Sequence, residues 1–261
     1  MKTYKPSGYI LWAGPSEIDG SPIVVIAITR SSNRKTGNMV QTYILRADQS
    51  PIDAVRTGAD VSICGYCPHR GWNHAATDPR GIVGRTCYVN IGQGPLSVWR
   101  AFQRHRYPVA VNLADIGLSR LVRLGTYGDP GAVPSRVWDQ LLSRAVGHTG
   151  YSHQWRTRPD LSKYVMASVD SRAEADDARA MGFRTFRVNL ATNGARVKGE
   201  GVCPASAEAG KKLNCDSCLA CDGNASNRRG SIVINAHGGT AVMANVRKLQ
   251  NQTVLTERVA V

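Results

Sequence analysis

Seven cysteines divide into two sets whose spacing is that of metal ligands rather than of a disulfide framework. The first set is Cys64-Gly-Tyr-Cys67-Pro68, completed by Cys87-Tyr88. The second opens with Cys203-Pro204 and continues as Cys215-Asp-Ser-Cys218-Leu-Ala-Cys221. Four thiols close the coordination of one centre; three leave a position open. Zinc favours four ligands, usually as two separated C-x-x-C knuckles. A continuous C-x-x-C-x-x-C run with an outlying Cys-Pro is closer to the ligand pattern of an iron–sulfur cubane. The expected metal ligands are therefore Cys64, Cys67, Cys87, Cys203, Cys215, Cys218 and Cys221. One or two [4Fe–4S] clusters are the first expectation, and zinc is the alternative. Gly210, Lys211, Lys212, Asp222 and Gly223 mark the second set as part of an exposed loop.

An odd number of thiols in such spacing belongs in a reducing compartment, and the cytoplasm is expected. No apolar run approaches the roughly 20 residues of a membrane span, and Met1-Lys-Thr-Tyr-Lys-Pro is not the start of a signal peptide. At 261 residues the chain can bury a full core. Its net charge of +14 favours polyanionic partners, so nucleic acid is a candidate partner and a membrane is not. The arginines are dispersed, among them Arg100, Arg104, Arg106, Arg120, Arg123, Arg156, Arg158, Arg228 and Arg229, which equally suits a solvated basic surface.

The first 60 residues read as β-rich. Tyr9–Trp12 and Ile23–Ile28 flank the turn Asp19-Gly20 as a hairpin, and Gln41–Arg46 makes a third strand. A short helix is expected over Ser50–Thr57, a loop over His69–Arg85 and a helix over Pro95–His105. From residue 120, strands alternate with helices of about ten residues. The strands are Arg120–Gly125, Thr149–Trp155, Val165–Asp170, Thr185–Val188 and Ser231–Asn235. The helices start near Pro134-Ser135 and, capped by Ser171, over Arg172–Met181 to the stop at Gly182. This order predicts an α/β fold, a partial (β/α) barrel of parallel strands. The expected organisation is a β-rich N-terminal extension (1–60), a β/α partial barrel holding both cysteine sets (61–240) and a C-terminal tail (241–261), with a break near residue 115 as the alternative.

Chemistry in such sheets gathers at the carboxyl ends of the strands, which nominates Asp129, His153 and Asp170 as catalytic, with Gln154 and Asn189 nearby. Each has a plainer role open to it. Asp129 can shape a Gly-Asp-Pro-Gly turn, Asp170 can serve a helix start, and His153 can be a core histidine.

Taken together, the three-cysteine set Cys64, Cys67 and Cys87, with Cys87-Tyr88, Gly128-Asp129-Pro130 and Ala167-Ser168-Val169-Asp170, resembles the radical SAM superfamily, whose members hold a cluster with three closely spaced cysteines. Cys87-Tyr88 is similar to the Cys-Tyr-Ala ending of uncharacterised phage and plasmid members, which would place the protein in a bacterial host cytoplasm. The resemblance implies that Cys64, Cys67 and Cys87 hold a [4Fe–4S] cluster whose fourth iron is chelated by S-adenosylmethionine. It further implies that Tyr88 and Gly128 contribute to cofactor binding and that the four-cysteine set is an auxiliary cluster site. The family's usual C-x3-C-x2-C loop is replaced here by a long insertion before Cys87, and its Gly-Gly-Glu-Pro motif by Gly128-Asp129-Pro130. The other class of reading is a basic zinc protein that binds nucleic acid. There His69 or His74 completes the first set, and Tyr66 and Trp72 stack on bases.

Overall fold

The computed structural model describes residues 6–31, 36–70, 84–190, 196–210, 213–226 and 230–248. His74, Trp72, Lys211, Lys212, Arg228 and Arg229 lie outside the described residues. Ten strands are described: β1 Gly8–Pro15, β2 Pro22–Ile28, β3 Val40–Arg46, β4 Leu121–Tyr127, β5 Gly147–Thr149, β6 Tyr151–Ser152, β7 Met166–Val169, β8 Thr185–Asn189, β9 Glu200–Val202 and β10 Ser231–Asn235. The helices are α1 Pro51–Thr57, α2 Val61–Cys64, α3 Gly94–Gln103, α4 Leu113–Gly117, α5 Ser135–Leu142, α6 Arg172–Ala180 and α7 Cys215–Cys218. Residues 240–248 are also helical.

The fold is α/β, with two five-stranded sheets ordered β1-β2-β3-β4-β5 and β6-β7-β8-β10-β9. β1, β2 and β3 pair antiparallel, β3 pairs parallel with β4 and β4 parallel with β5. Every pairing in the second sheet is parallel. The hairpin turns where Gly20 takes φ +74° and Asp19 accepts the Ser21 N–H at 3.0 Å. β3 thus joins residues 1–60 to the sheet that carries β4 and β5.

One expected strand is broken. Thr149–Trp155 does not run straight: β5 ends at Thr149, β6 covers only Tyr151–Ser152, and Gln154–Arg156 turns into a 3₁₀ helix. Gly150 is the joint. Its N–H donates to the Cys221 carbonyl at 2.9 Å and its carbonyl accepts from Met166 N–H at 3.1 Å. Segment 147–152 therefore belongs to both sheets, pairing with β4 before the joint and with β7 after it.

Local sequence sets the helix ends. Ser50 accepts the Asp53 N–H at 3.2 Å with Pro51 in the first turn, and Ser171 accepts the Glu174 N–H at 3.1 Å. One apolar core runs through β2, β3, β4, β7, α5 and α6. Its two fully buried tryptophans both keep a partner for the indole N–H: Trp138 donates to Pro130 O at 3.0 Å and Trp155 to Ser168 O at 3.2 Å. Among the described residues no helix is long and apolar enough to cross a membrane.

Candidate metal and ligand site

The first cysteine set lies where β3 hands the chain through α1 and α2 to α3. Cys64 ends α2, and Gly65 follows at φ +54°. A Cβ on Gly65 would meet Gln154 Oε1 at 2.3 Å, so this turn admits only glycine. Two contacts sew the loop to the strand ends and a third closes the loop on itself. Gln154 Nε2 donates to Cys64 O at 3.1 Å, Asp129 N–H to Ile63 O at 2.6 Å, and Cys67 N–H to Cys64 O at 3.2 Å. Cys87 is brought back to this turn by its N–H, which donates to His69 O at 2.9 Å. Arg85 grips the Cys87 and Val89 carbonyls at 2.9 and 3.1 Å.

The second set is built on the far edge of the other sheet. Cys203 leaves β9 with its N–H on Val233 O at 2.9 Å. Asn214 caps α7 in a reciprocal box with Ser217, placing Cys215 and Cys218 one turn apart. The loop after it is not exposed: Asp222 and Gly223 are buried. The cause is Arg184, which pairs with Asp222 Oδ1 at 2.6 Å and donates to the carbonyls of Ala220, Gly223 and Gly230 at 2.8, 2.7 and 2.9 Å.

No disulfide joins any of the seven cysteines. Burial pushes the Cys64 thiol far up, and Asp60, Cys67, Cys87 and Asp129 add to it. Burial likewise raises Cys87, against the opposing charge of Arg85 and with Cys67. Cys221 is pushed up to about 12 by burial and by Cys203, Cys215 and Cys218, against a hydrogen bond from Tyr151. Neighbouring thiols thus add to the rise at Cys64 and at Cys221, and a cation bound beside either would favour its thiolate.

A cavity of about 850 Å³ opens between the two sets and takes Cys64, Cys67, Cys87, Cys203 and Cys215 into its wall. Gly128, at φ +81°, and the exposed Tyr88, 5.3 Å from the His237 ring, also line it. Arg123 projects from β4 into this cavity. It is 7% exposed, its Nη1 lies 3.9 Å from Cys215 Sγ and its guanidinium 5.3 Å from the Tyr151 ring. It has no carboxylate partner among the described residues. Burial opposes its charge, yet Tyr151, Tyr88 and Cys215 hold the pKa above the usual arginine value.

The three strand-end residues divide in role. Asp129 is a brace: its carboxylate accepts from Gly131 N–H at 2.8 Å, Ser152 Oγ at 2.6 Å, His153 N–H at 2.7 Å and Gln154 Nε2 at 3.4 Å. With that many donors on it, Asp129 holds the ends of β4 and β6 together. Asn189 pairs with Asn235 at 3.1 Å, across β8 and β10. His153 and Asp170 instead face a third residue, His69, whose Nε2 lies 2.8 Å from Asp170 Oδ1 and whose Nδ1 lies 2.7 Å from Thr86 Oγ1. His69 therefore turns to Asp170 and Thr86.

Among the described residues, this trio is the group of three His, Cys, Asp or Glu donors whose ligand atoms all come within 4.8 Å of one another. The cysteine sulfurs of both sets are spread more widely. Tyr66 is exposed. Sequence reading passed over Arg184 and counted Arg123 only among the dispersed basic residues, where the structure buries both, since nothing in a strand pattern distinguishes an arginine that turns inward. No protein-family model, curated protein or solved structure matches the chain.

Proposed function

We propose that the chain is an iron–sulfur redox enzyme of radical SAM-like type, acting on a nucleic-acid or nucleotide-type substrate in a reducing cytoplasm. The observation that carries the proposal is the common cavity. The open set of three thiols and two members of the closed set, Cys203 and Cys215, line one space large enough for a small organic substrate.

The donor chemistry fits. Four thiolates around one ion at about 2.3 Å would bring their sulfurs to about 3.8 Å of one another, and neither set is gathered that tightly. A cubane spreads its thiolates over separate irons, which favours iron–sulfur over zinc. The order of elements supports the same reading. β3, β4, β5 with β6, β7, β8 and β10 follow one another in a parallel sense, as the strands of a partial β/α barrel would. The three-thiol set leaves the first of these strands. When bound there, the cluster would supply the electron for reductive cleavage of S-adenosylmethionine.

The chain's own residues do the rest. Asp129 fixes the strand ends beneath the open set, and Gln154 holds the Cys64 carbonyl. The buried Arg123 offers positive charge to the four-thiol centre, and the net charge of +14 suits a phosphate-bearing substrate.

The test is anaerobic purification followed by iron, sulfide and zinc analysis and a visible spectrum. About eight irons with matching sulfide and a broad brown absorbance are expected. Cys87→Ala and Cys221→Ala should each remove half of the iron and leave the other half. With a reductant and S-adenosylmethionine, the wild type should release 5′-deoxyadenosine and Cys87→Ala should not. Two zincs and a colourless protein would overturn the proposal.

A further inference from the structure

His69, His153 and Asp170 come from three separate places in the chain: the turn after Cys67, the end of β6 and the end of β7. Their ligand atoms all lie within 4.8 Å of one another. His69 Nε2 is 2.8 Å from Asp170 Oδ1, and His153 Nε2 is 3.6 Å from Asp170 Oδ2. A first-row ion with bonds of about 2.1 Å sets neighbouring ligand atoms about 3.0 to 3.4 Å apart, so these separations bracket the required one. The imidazoles are splayed, with centroids 5.8 Å apart and planes at 70°, so both can point at a common centre.

Each donor is already oriented from behind. Thr86 Oγ1 lies 2.7 Å from the outer nitrogen of His69 and Asp129 anchors the backbone of His153. Asp170 N–H is held by Glu174 Oε2 at 2.8 Å. Such outer contacts are what fix a ligating imidazole's orientation.

One atom in the group is otherwise costly. His153 Nε2 is buried and makes no hydrogen bond among the described residues, since 3.6 Å to Asp170 is beyond hydrogen-bond reach. It belongs to a side chain that lines the 850 Å³ cavity, as does His69. The donor set is mixed imidazole and carboxylate, and the His153 side chain also hydrogen-bonds Cys67 of the first thiol set, so the two sites are neighbours.

From this geometry we infer that His69, His153 and Asp170 form a third metal site, a mononuclear centre for a first-row divalent cation of the Fe²⁺, Co²⁺ or Zn²⁺ type. Two imidazoles and one carboxylate fill one face of such an ion, and its remaining positions open to the cavity for water or an oxygen donor of the substrate. The site goes beyond the iron–sulfur reading and does not depend on it, because no cysteine is among its ligands. The alternative is a metal-free His–Asp–His hydrogen-bonded group.

The experiment uses Co²⁺ as the probe on the anaerobically purified protein with its cysteine centres as isolated. Bound cobalt is counted after dialysis and the visible spectrum recorded. One added equivalent is expected, with d–d bands and no thiolate-to-cobalt charge-transfer band. Asp170→Ala and His153→Ala should each lose that equivalent while keeping the iron and sulfide of the parent. Should either variant fail to fold, the wild type decides by itself: cobalt at this site gives hyperfine-shifted imidazole proton resonances from two histidines. No added equivalent, a thiolate charge-transfer band, unshifted imidazoles, or unchanged cobalt in both variants would overturn the inference. Failure of the iron–sulfur reading shows instead in the iron and sulfide analysis, and leaves the cobalt result standing.

Discussion

Arg123 Nη1 lies 3.9 Å from Cys215 Sγ, deep in the protein and without a carboxylate to answer its charge among the described residues. A guanidinium in that position needs an anion, and the four-thiol set beside it is the available one. Arg123→Met keeps the bulk and removes the charge. The centre on Cys203, Cys215, Cys218 and Cys221 should then hold its metal about 10 to 100 times more weakly. Competition with a chelator, followed by metal analysis, measures this, and the metal on Cys64, Cys67 and Cys87 should stay.

Arg184 is the second buried guanidinium, and its task is structural. It holds Asp222 and three carbonyls of the loop that follows Cys218. Arg184→Met would leave a buried carboxylate unpaired, at a cost of about 3 to 5 kcal/mol. Urea unfolding should show that loss in the midpoint, accompanied by loss of the four-thiol metal. A variant with wild-type stability would rule out this role.

The joint at Gly150 leaves little room for a side chain. A Cβ there would come within 2.8 Å of Val165 Cγ1 and 3.1 Å of Leu124 Cβ. Gly150→Val should therefore destabilise the fold by about 1 to 3 kcal/mol. Ala at the same position should fall between the two in a thermal melt.

His148 predicts a loss of stability in acid. Its ring Nε2–H donates to Tyr164 O at 2.8 Å. Burial lowers its pKa from the ordinary 6.5, only partly offset by that hydrogen bond and by Asp222. The folded state thus keeps the imidazole neutral where the unfolded chain takes up a proton. This contribution is complete above about pH 6.5 and declines as the pH falls toward the folded value, by up to about 1.4 kcal/mol per pH unit. Unfolding free energies measured from pH 8 to 5 should fall more steeply for wild type than for His148→Gln. Parallel curves would remove His148 as the cause.

Much of the local structure is legible in the sequence because it is decided locally. Ser50, Ser171 and Gly182 announce helix ends, Asp19-Gly20 announces the hairpin, and cysteine spacing announces two sets of thiols. The expectations that failed depend on distant partners. Asp222 and Gly223 look like solvent-facing loop residues until Arg184, some 38 positions away, is placed against them. The Thr149–Trp155 run looks continuous because nothing near it shows that Gly150 must reach across to Cys221. His69 and Asp170 are 101 residues apart, so no motif could join them. A place just past the end of β4 marks Asp129 for chemistry in the sequence. Its four donors are what make it a brace, and three of them come from residues 152 to 154.

The hydrogen bond from Gly150 to the Cys221 carbonyl ties the seam between the sheets to a thiol of the second set. With a metal on Cys221, that carbonyl is held in place from both sides. If the second set holds a metal as proposed, its supply bears on assembly, because the carbonyl that fastens the seam belongs to one of the residues that would hold the metal.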